Sequence, residues 1–386
     1  MKIYTLLQEP QGIDSLFNNV KIRGGVHLSV LNQIIALQEL GHEVRLCVLK
    51  GDIKHELVDN YQKDLNFPST EPHGKKFYHD HKKILPKYLK TKVKKFNPDL
   101  IISQDYKNWY YKDLSYEYPF LCMVHAAPAY IQDLRRGIEY DDLQKIGHKI
   151  ATPSNYAKEK FIRFYTKPRK EKSTHIIPDY VLYPSSFKKM KIKPQTNKVF
   201  HASRACTEKQ TFLIAEYLKD TNFDNMICTQ SRSNPPNEKN DKYLKNNLTK
   251  YMNSVSLDLP HTDIMKKLET CGATFVGLAN YDTFTITSLE SLSRGVPLLV
   301  KNKYGLEHPA TEMVDEQMKR YVYPFKDKED FINKVEEFLN ITLEERQKIA
   351  DSCYEKMGWD NFKKTWNHAV METVDSFKER KNVRIF

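Results

Sequence analysis

No apolar run in the 386 residues approaches the ~20 that a membrane-spanning helix needs, which excludes a helical membrane span. The six cysteines, Cys47, Cys122, Cys206, Cys228, Cys271 and Cys353, form no C-x-x-C pair. That argues against a structural zinc site and reads them as small core residues in a reducing cytosol. There is no G-x-G-x-x-G, so the dehydrogenase type of dinucleotide fingerprint is absent. No Asp-x-Asp occurs, nor any low-complexity segment. The start, "MKIYTLLQEPQG", carries one lysine and a brief apolar stretch, and reads as a first strand rather than a signal peptide. A cytoplasmic location is expected.

What is present is a globular balance, 40% apolar and 28% charged, in a chain long enough for two cores. Lysine and arginine number 61 against 49 acids, a net charge of +12. That excess favours a polyanionic partner: nucleic acid, anionic lipid or a phosphorylated substrate.

The first half alternates short strands with helices. "KIYTLL" reads as a strand. Val26, Val30, Leu31, Ile34, Ile35 and Leu40 recur at helical spacing before Gly41, the expected helix end. "HEVRLCVL", "PDLIIS", "PFLCMVH" and "HKIATPS" have the apolar character of buried parallel strands. Proline, serine and lysine interrupt the pattern near 183–196, after which a second α/β set begins. The expected division is an N-terminal domain over 1–182, a linker over 183–196, a second domain over 197–360 and a terminal helix over 361–386. Such parallel-sheet domains place their ligand loops at the carboxyl ends of the strands.

Four stretches carry candidate chemistry. In "ATFVGLANYDTFTITSLESLSRGVPLLV" a strand, a loop and a helix start follow one another. The amides of Thr285, Ile286 and Thr287 face whatever sits beyond the helix, where phosphate is the natural occupant. Glu290, one turn in, can accept two hydrogen bonds from a vicinal diol; a plain capped helix with surface acids remains open. In "HASRACTEK", Arg204 and Lys209 flank a turn after a strand, placed to neutralise a diphosphate or to make an interdomain ion pair. Gly24 and Gly25 lead into a helix and allow close approach of a ligand. His125 ends a strand, as a structural hydrogen-bonding group or a catalyst.

Together these stretches resemble the retaining GT-B glycosyltransferases, whose signature is an acid, seven residues and a glutamate. Here Asp282 and Glu290 hold those places in "DTFTITSLESLSRGVPLLV". Matches in order are "RGGVHLSVLNQIIALQELGHEV", "NPDLIIS" then "HAAP", "TPSNYAKEKF" then "IIPDYV", and "SRACTEKQTFLIAEYL". The resemblance implies two Rossmann-like α/β domains facing each other across a cleft, with the last helix crossing back to the first. It implies a nucleoside-diphosphate-sugar co-substrate, with UDP-hexose expected, and no metal or other cofactor. Glu290 would bind the ribose, Arg204 and Lys209 the diphosphate, and the 285–287 amides the distal phosphate. His125 and Asp282 would face the transferred sugar, and Gly25 would lie near the phosphates. Two departures are Asp282 in place of glutamate and "TFT" in place of "GFG".

The acceptor is read from charge. Lys87, Lys90 and Lys94 belong to a basic stretch of the first domain, and Pro86 argues against one unbroken helix there. Arg135 and Arg136 sit in "DLRRG" after His125, which resembles the bacteriophage DNA α-glucosyltransferases. A hydroxymethylated base in phage DNA, inside an infected bacterial host, is therefore the favoured acceptor. The alternatives are an envelope or lipid-linked glycan at an anionic inner-membrane surface, and a catalytically inert nucleic-acid-binding protein.

Overall fold

The computed structural model describes residues 1–7, 25–48, 55–65, 84–104, 114–125, 148–165, 178–184, 189–203, 209–219, 221–229, 248, 254–257, 259–277, 284–301 and 307–383. The chain divides into two units, Met1–Pro184 with Phe362–Phe386, and Ser185–Asn361. Every described strand pairing is parallel.

The first unit holds β1 (Lys2–Leu7), β2 (Glu43–Val48), β3 (Val58–Asn60), β4 (Leu100–Gln104), β5 (Phe120–Met123), β6 (Lys149–Thr152) and β7 (Tyr180–Val181). They form one sheet in the order β3-β2-β1-β4-β5-β6-β7. The run "LIISQ" of β4 is buried throughout, as a strand covered on both faces must be. Helix α1 (Gly25–Glu39) turns Val30, Ile34 and Leu37 inward while Ile35 and Leu40 stay exposed, so the apolar stripe is narrower than the spacing suggests. Gly41 ends it at φ +82°, a left-handed backbone that glycine adopts without penalty.

Helix α2 (Ile84–Phe96) runs unbroken through Pro86, contrary to the expectation of an interruption. The proline lies in the first turn, where its missing N–H would have had no intrahelical partner. Leu85, Tyr88, Leu89 and Val93 are buried, which leaves the lysines on the outer side. Helix α3 (Asn155–Tyr165) follows β6.

The second unit holds β8 (Lys198–Ala202), β9 (Asp224–Thr229), β10 (Ser254–Leu257), β11 (Ala273–Gly277), β12 (Leu298–Lys301) and β13 (Val322–Pro324). Their order, β10-β9-β8-β11-β12-β13, is again the doubly wound one. Its helices are α4 (Thr211–Leu218), α5 (His261–Leu268), α6 (Ile286–Leu292), α7 (Lys328–Leu339) and α8 (Leu343–Met357). Thr342, with a glutamate three residues on, has the sequence pattern of a capping box, and it starts α8 with both reciprocal bonds to Glu345 in place.

The last helix, α9 (Trp359–Val383), belongs to the first unit from Phe362 onward. His42 Nε2 donates to Asn367 Oδ1 at 3.2 Å, Lys149 pairs with Glu372 at 3.6 Å, and the His148 ring stacks on Phe377. Trp366, Ala369, Val370, Val374 and Phe377 are buried, at about 1.5–3 kcal/mol for each large side chain. Each unit is thus a parallel sheet with its helices, the strands in Rossmann order. Among the described residues no helix is long and apolar enough to cross a membrane.

Candidate functional site

In the second sheet the strand order reverses between β8 and β11, the place where open α/β sheets bind ligands. Three of the expected residues cluster at the carboxyl ends of these two strands. Lys209 stands just before α4, Thr285 immediately precedes α6, and Glu290 is buried within α6.

Several contacts tie these pieces together. A Cβ placed on Gly277, the last residue of β11, would meet the carbonyl oxygen of Lys209 at 2.1 Å. Thr287 Oγ1 donates to the carbonyl of Ala202, the end of β8, at 3.3 Å. His201 is fully buried, with Nδ1–H donating to Phe275 O at 3.0 Å and Nε2 accepting from Thr211 Oγ1 at 3.1 Å. Burial, with help from the Lys209 charge, pushes its pKa down to about 4, so it stays neutral and joins β8, β11 and α4.

Helix α6 is seven residues long and begins without a side-chain cap, because Thr285 Oγ1 bonds Ser288 Oγ at 2.6 Å instead. Its first amides therefore lack the partner that a capping threonine would normally supply. Glu290 Oε1 accepts from His261 Nε2, at the start of α5, at 2.5 Å. That hydrogen bond raises the His261 pKa against the opposing pull of burial and of Arg294. The turn after the helix closes at Gly295, φ +67°, where a Cβ would come within 2.2 Å of Arg346 O. The buried Arg346 guanidinium in turn donates to Gly295 O at 3.2 Å and Arg294 O at 3.3 Å, which fixes the carboxyl end of α6.

In the first sheet the reversal lies between β1 and β4. Here Gln104 Nε2 donates to Thr5 Oγ1 at 3.2 Å and to Gln33 Oε1 at 2.6 Å. Its Oε1 is left to accept from His125 Nε2 at 2.7 Å, which assigns the His125 tautomer. His125 is buried, and Gly25 opens α1, the helix that supplies Gln33. Arg204, Asp282, Gly24, Arg135 and Arg136 lie outside the described residues.

Of the basic residues expected at the acceptor, Lys90 and Lys94 both pair with Glu117, at 3.8 and 3.1 Å, while Lys87 is exposed. The neighbouring Lys92 bridges Asp59 and Asp64. Much of the α2 charge is thus balanced locally.

Two family models match: Glycosyltransferase Family 4 over residues 23–179 and Glycosyl transferases group 1 over 183–356. Between them they take in most of the chain, one on each unit. The chain belongs to the GT-B glycosyltransferases.

Solved structures similar to this glycosyltransferase agree in fold. Sucrose-phosphate synthase from Thermosynechococcus elongatus aligns with TM-score 0.63 at 12% identity, over 100% of this chain and 99% of that one. Anabaena HepE in complex with UDP-glucose gives 0.65 at 13%, over 96% and 99%. The lipopolysaccharide outer core galactosyltransferase WaaB gives 0.60 at 15%, over 96% and 99%. No curated protein matches the chain.

Gln104, His201, His261 and Gly277 of this glycosyltransferase belong to these clusters as well, beyond the residues that stand out in the sequence. Gln104 carried a signal, as the polar residue closing an otherwise apolar strand. The partners of His201 lie 10 and 74 positions away and that of His261 lies 29 away, while Gly277 meets Lys209, separations that no local pattern expresses.

Proposed function

We propose that the protein is a retaining hexosyltransferase that uses a UDP-hexose donor and needs no metal ion. One observation carries the reading: the turn at Lys209 and the uncapped start of α6, with buried Glu290 behind it, meet at the reversal point of the second sheet. Glu290 would hold the ribose diol, exchanging or sharing its bond from His261. Lys209, with Arg204, would neutralise the diphosphate, and the first amides of α6 would take the distal phosphate. Asp282 and His125 would face the sugar, with Gly25 near the phosphates. Anabaena HepE, similar in fold and complexed with UDP-glucose, supports the choice of donor.

In the proposed reaction the bond between the anomeric carbon and the diphosphate oxygen breaks as an oxocarbenium-like sugar forms. The acceptor hydroxyl adds to the same face, and its proton passes to the departing diphosphate. The protein contributes position and charge rather than a nucleophile.

A net charge of +12 supports a polyanionic acceptor, for which a hydroxymethylated base in DNA is the first reading, with Arg135, Arg136 and Lys87 on phosphates. The internal ion pairs of Lys90 and Lys94 favour a second reading, an envelope glycan. The protein is to be incubated with a panel of nucleoside-diphosphate sugars, hydroxymethylated DNA and lipid-linked glycans, and products weighed by mass spectrometry. A hexose increment with retained anomeric configuration, unaffected by chelator, is expected. Absence of both transfer and slow donor hydrolysis across the panel refutes the reading, and an increment on glycan alone replaces the DNA acceptor.

A further inference from the structure

Two buried histidines of the second unit lie within reach of the Lys209 charge, and their hydrogen bonding differs. His201 has both ring nitrogens satisfied, as described. His308, 1% exposed, follows β12 and caps a short 3₁₀ helix, Pro309–Met313, that packs against α6. Its Nδ1 accepts from the Ala310 N–H at 3.1 Å, so the ring proton sits on Nε2. That Nε2–H finds no hydrogen-bond partner among the described residues. Gln210 Oε1, on the residue after Lys209, is likewise buried and unpartnered, so the two groups do not satisfy each other.

A buried N–H without an acceptor costs about 1–3 kcal/mol, and folded proteins seldom leave one. The neutral state of His308 is secure, since burial and the Lys209 charge hold its pKa near about 3. The ring is therefore an uncharged donor at the start of a 3₁₀ helix packed against α6, within the field of the Lys209 charge.

We infer that His308 is a donor-substrate ligand, its Nε2–H bonding a diphosphate oxygen of the nucleotide-sugar that Lys209 neutralises. The inference rests on the reading of Lys209 as a diphosphate site. It adds a neutral donor that no charged-residue motif would reveal, and it gives the cap residue of a 3₁₀ helix a second task.

Two variants separate these tasks. His308→Asn keeps an oxygen where Nδ1 caps Ala310 but removes the Nε2–H. His308→Gln keeps an N–H near the Nε2 position and gives up the cap. Calorimetric titration with UDP and with inorganic pyrophosphate is the readout, beside the melting temperature. His308→Asn should melt near the wild type yet bind UDP about tenfold more weakly. His308→Gln should melt lower and bind UDP within about twofold of wild type. In the wild type, nitrogen-labelled histidine should show the His308 Nε2–H resonance moving downfield as UDP is added, a readout that needs no variant. Wild-type affinity in His308→Asn, or a resonance that UDP does not move, overturns the inference and leaves the reading of Lys209 standing. Failure of the wild type to bind either UDP or pyrophosphate overturns both.

Discussion

Gly277 and Lys209 touch backbone to backbone: there is no room for even a methyl group between the last residue of β11 and the carbonyl of Lys209. The contact sets the position of the lysine relative to the loop that leads to α6. Gly277→Ala should push the Lys209 turn outward. A displacement of that order is expected to lower kcat/KM about 100-fold, with a stability loss of about 1–3 kcal/mol. Steady-state kinetics and thermal melting check it, and an alanine variant with unchanged kcat/KM would show that the turn's position does not matter.

The His261–Glu290 pair makes stability depend on pH. The bond to Glu290 raises the folded-state pKa of His261 above its ordinary 6.5. Its stabilising contribution is then fully present below about 6.5 and fades as pH rises through the raised value. Glu290→Gln should flatten that part of the melting-temperature profile, because the imidazole loses its anionic partner. The same variant should weaken UDP-hexose binding about 10–100-fold if the carboxylate holds the ribose. A profile identical to wild type would remove the charge coupling from the account.

Gln104 holds three polar groups at once, so its loss should be felt twice. Gln104→Leu leaves Gln33 Oε1 and the His125 Nε2–H without their partner, a cost of about 2–4 kcal/mol. With the His125 ring no longer held in one tautomer, kcat should fall about 10–100-fold while the donor KM stays near wild type. Equal losses in kcat and in KM would assign Gln104 a purely structural part.

Gly295 is constrained in both conformation and space. Its φ of +67° and the Arg346 carbonyl 2.2 Å from a built Cβ leave alanine no comfortable state. Gly295→Ala is expected to destabilise the second unit by about 2–4 kcal/mol, measured by denaturant unfolding. A loss below about 0.5 kcal/mol would mean that α8 yields readily.

Element type was legible wherever burial acted through consecutive residues. "PDLIIS" has the apolar character of a covered strand, Gly41 marks the end of α1, and Thr342 with Glu345 announces α8. Short edge strands were not legible: β7 and β13 owe their pairing to neighbours, and two or three residues carry no period of their own. Pro86 breaks nothing because it falls in the first turn of α2, where the exclusion of proline from helix interiors does not hold. At the site, Lys209, Thr285 and Glu290 stood out by residue type beside a strand end. His261, Gln104 and His308 did not, since each gains meaning only from a partner that the fold brings alongside.

The helix α9 has a consequence for how the polypeptide is made. The second unit is one continuous stretch, Ser185–Asn361, whereas the first is completed only by Phe362 and the residues after it. On the ribosome the later-encoded unit therefore finishes first. Until α9 emerges, the His148 ring waits without its Phe377 cover and His42 without Asn367.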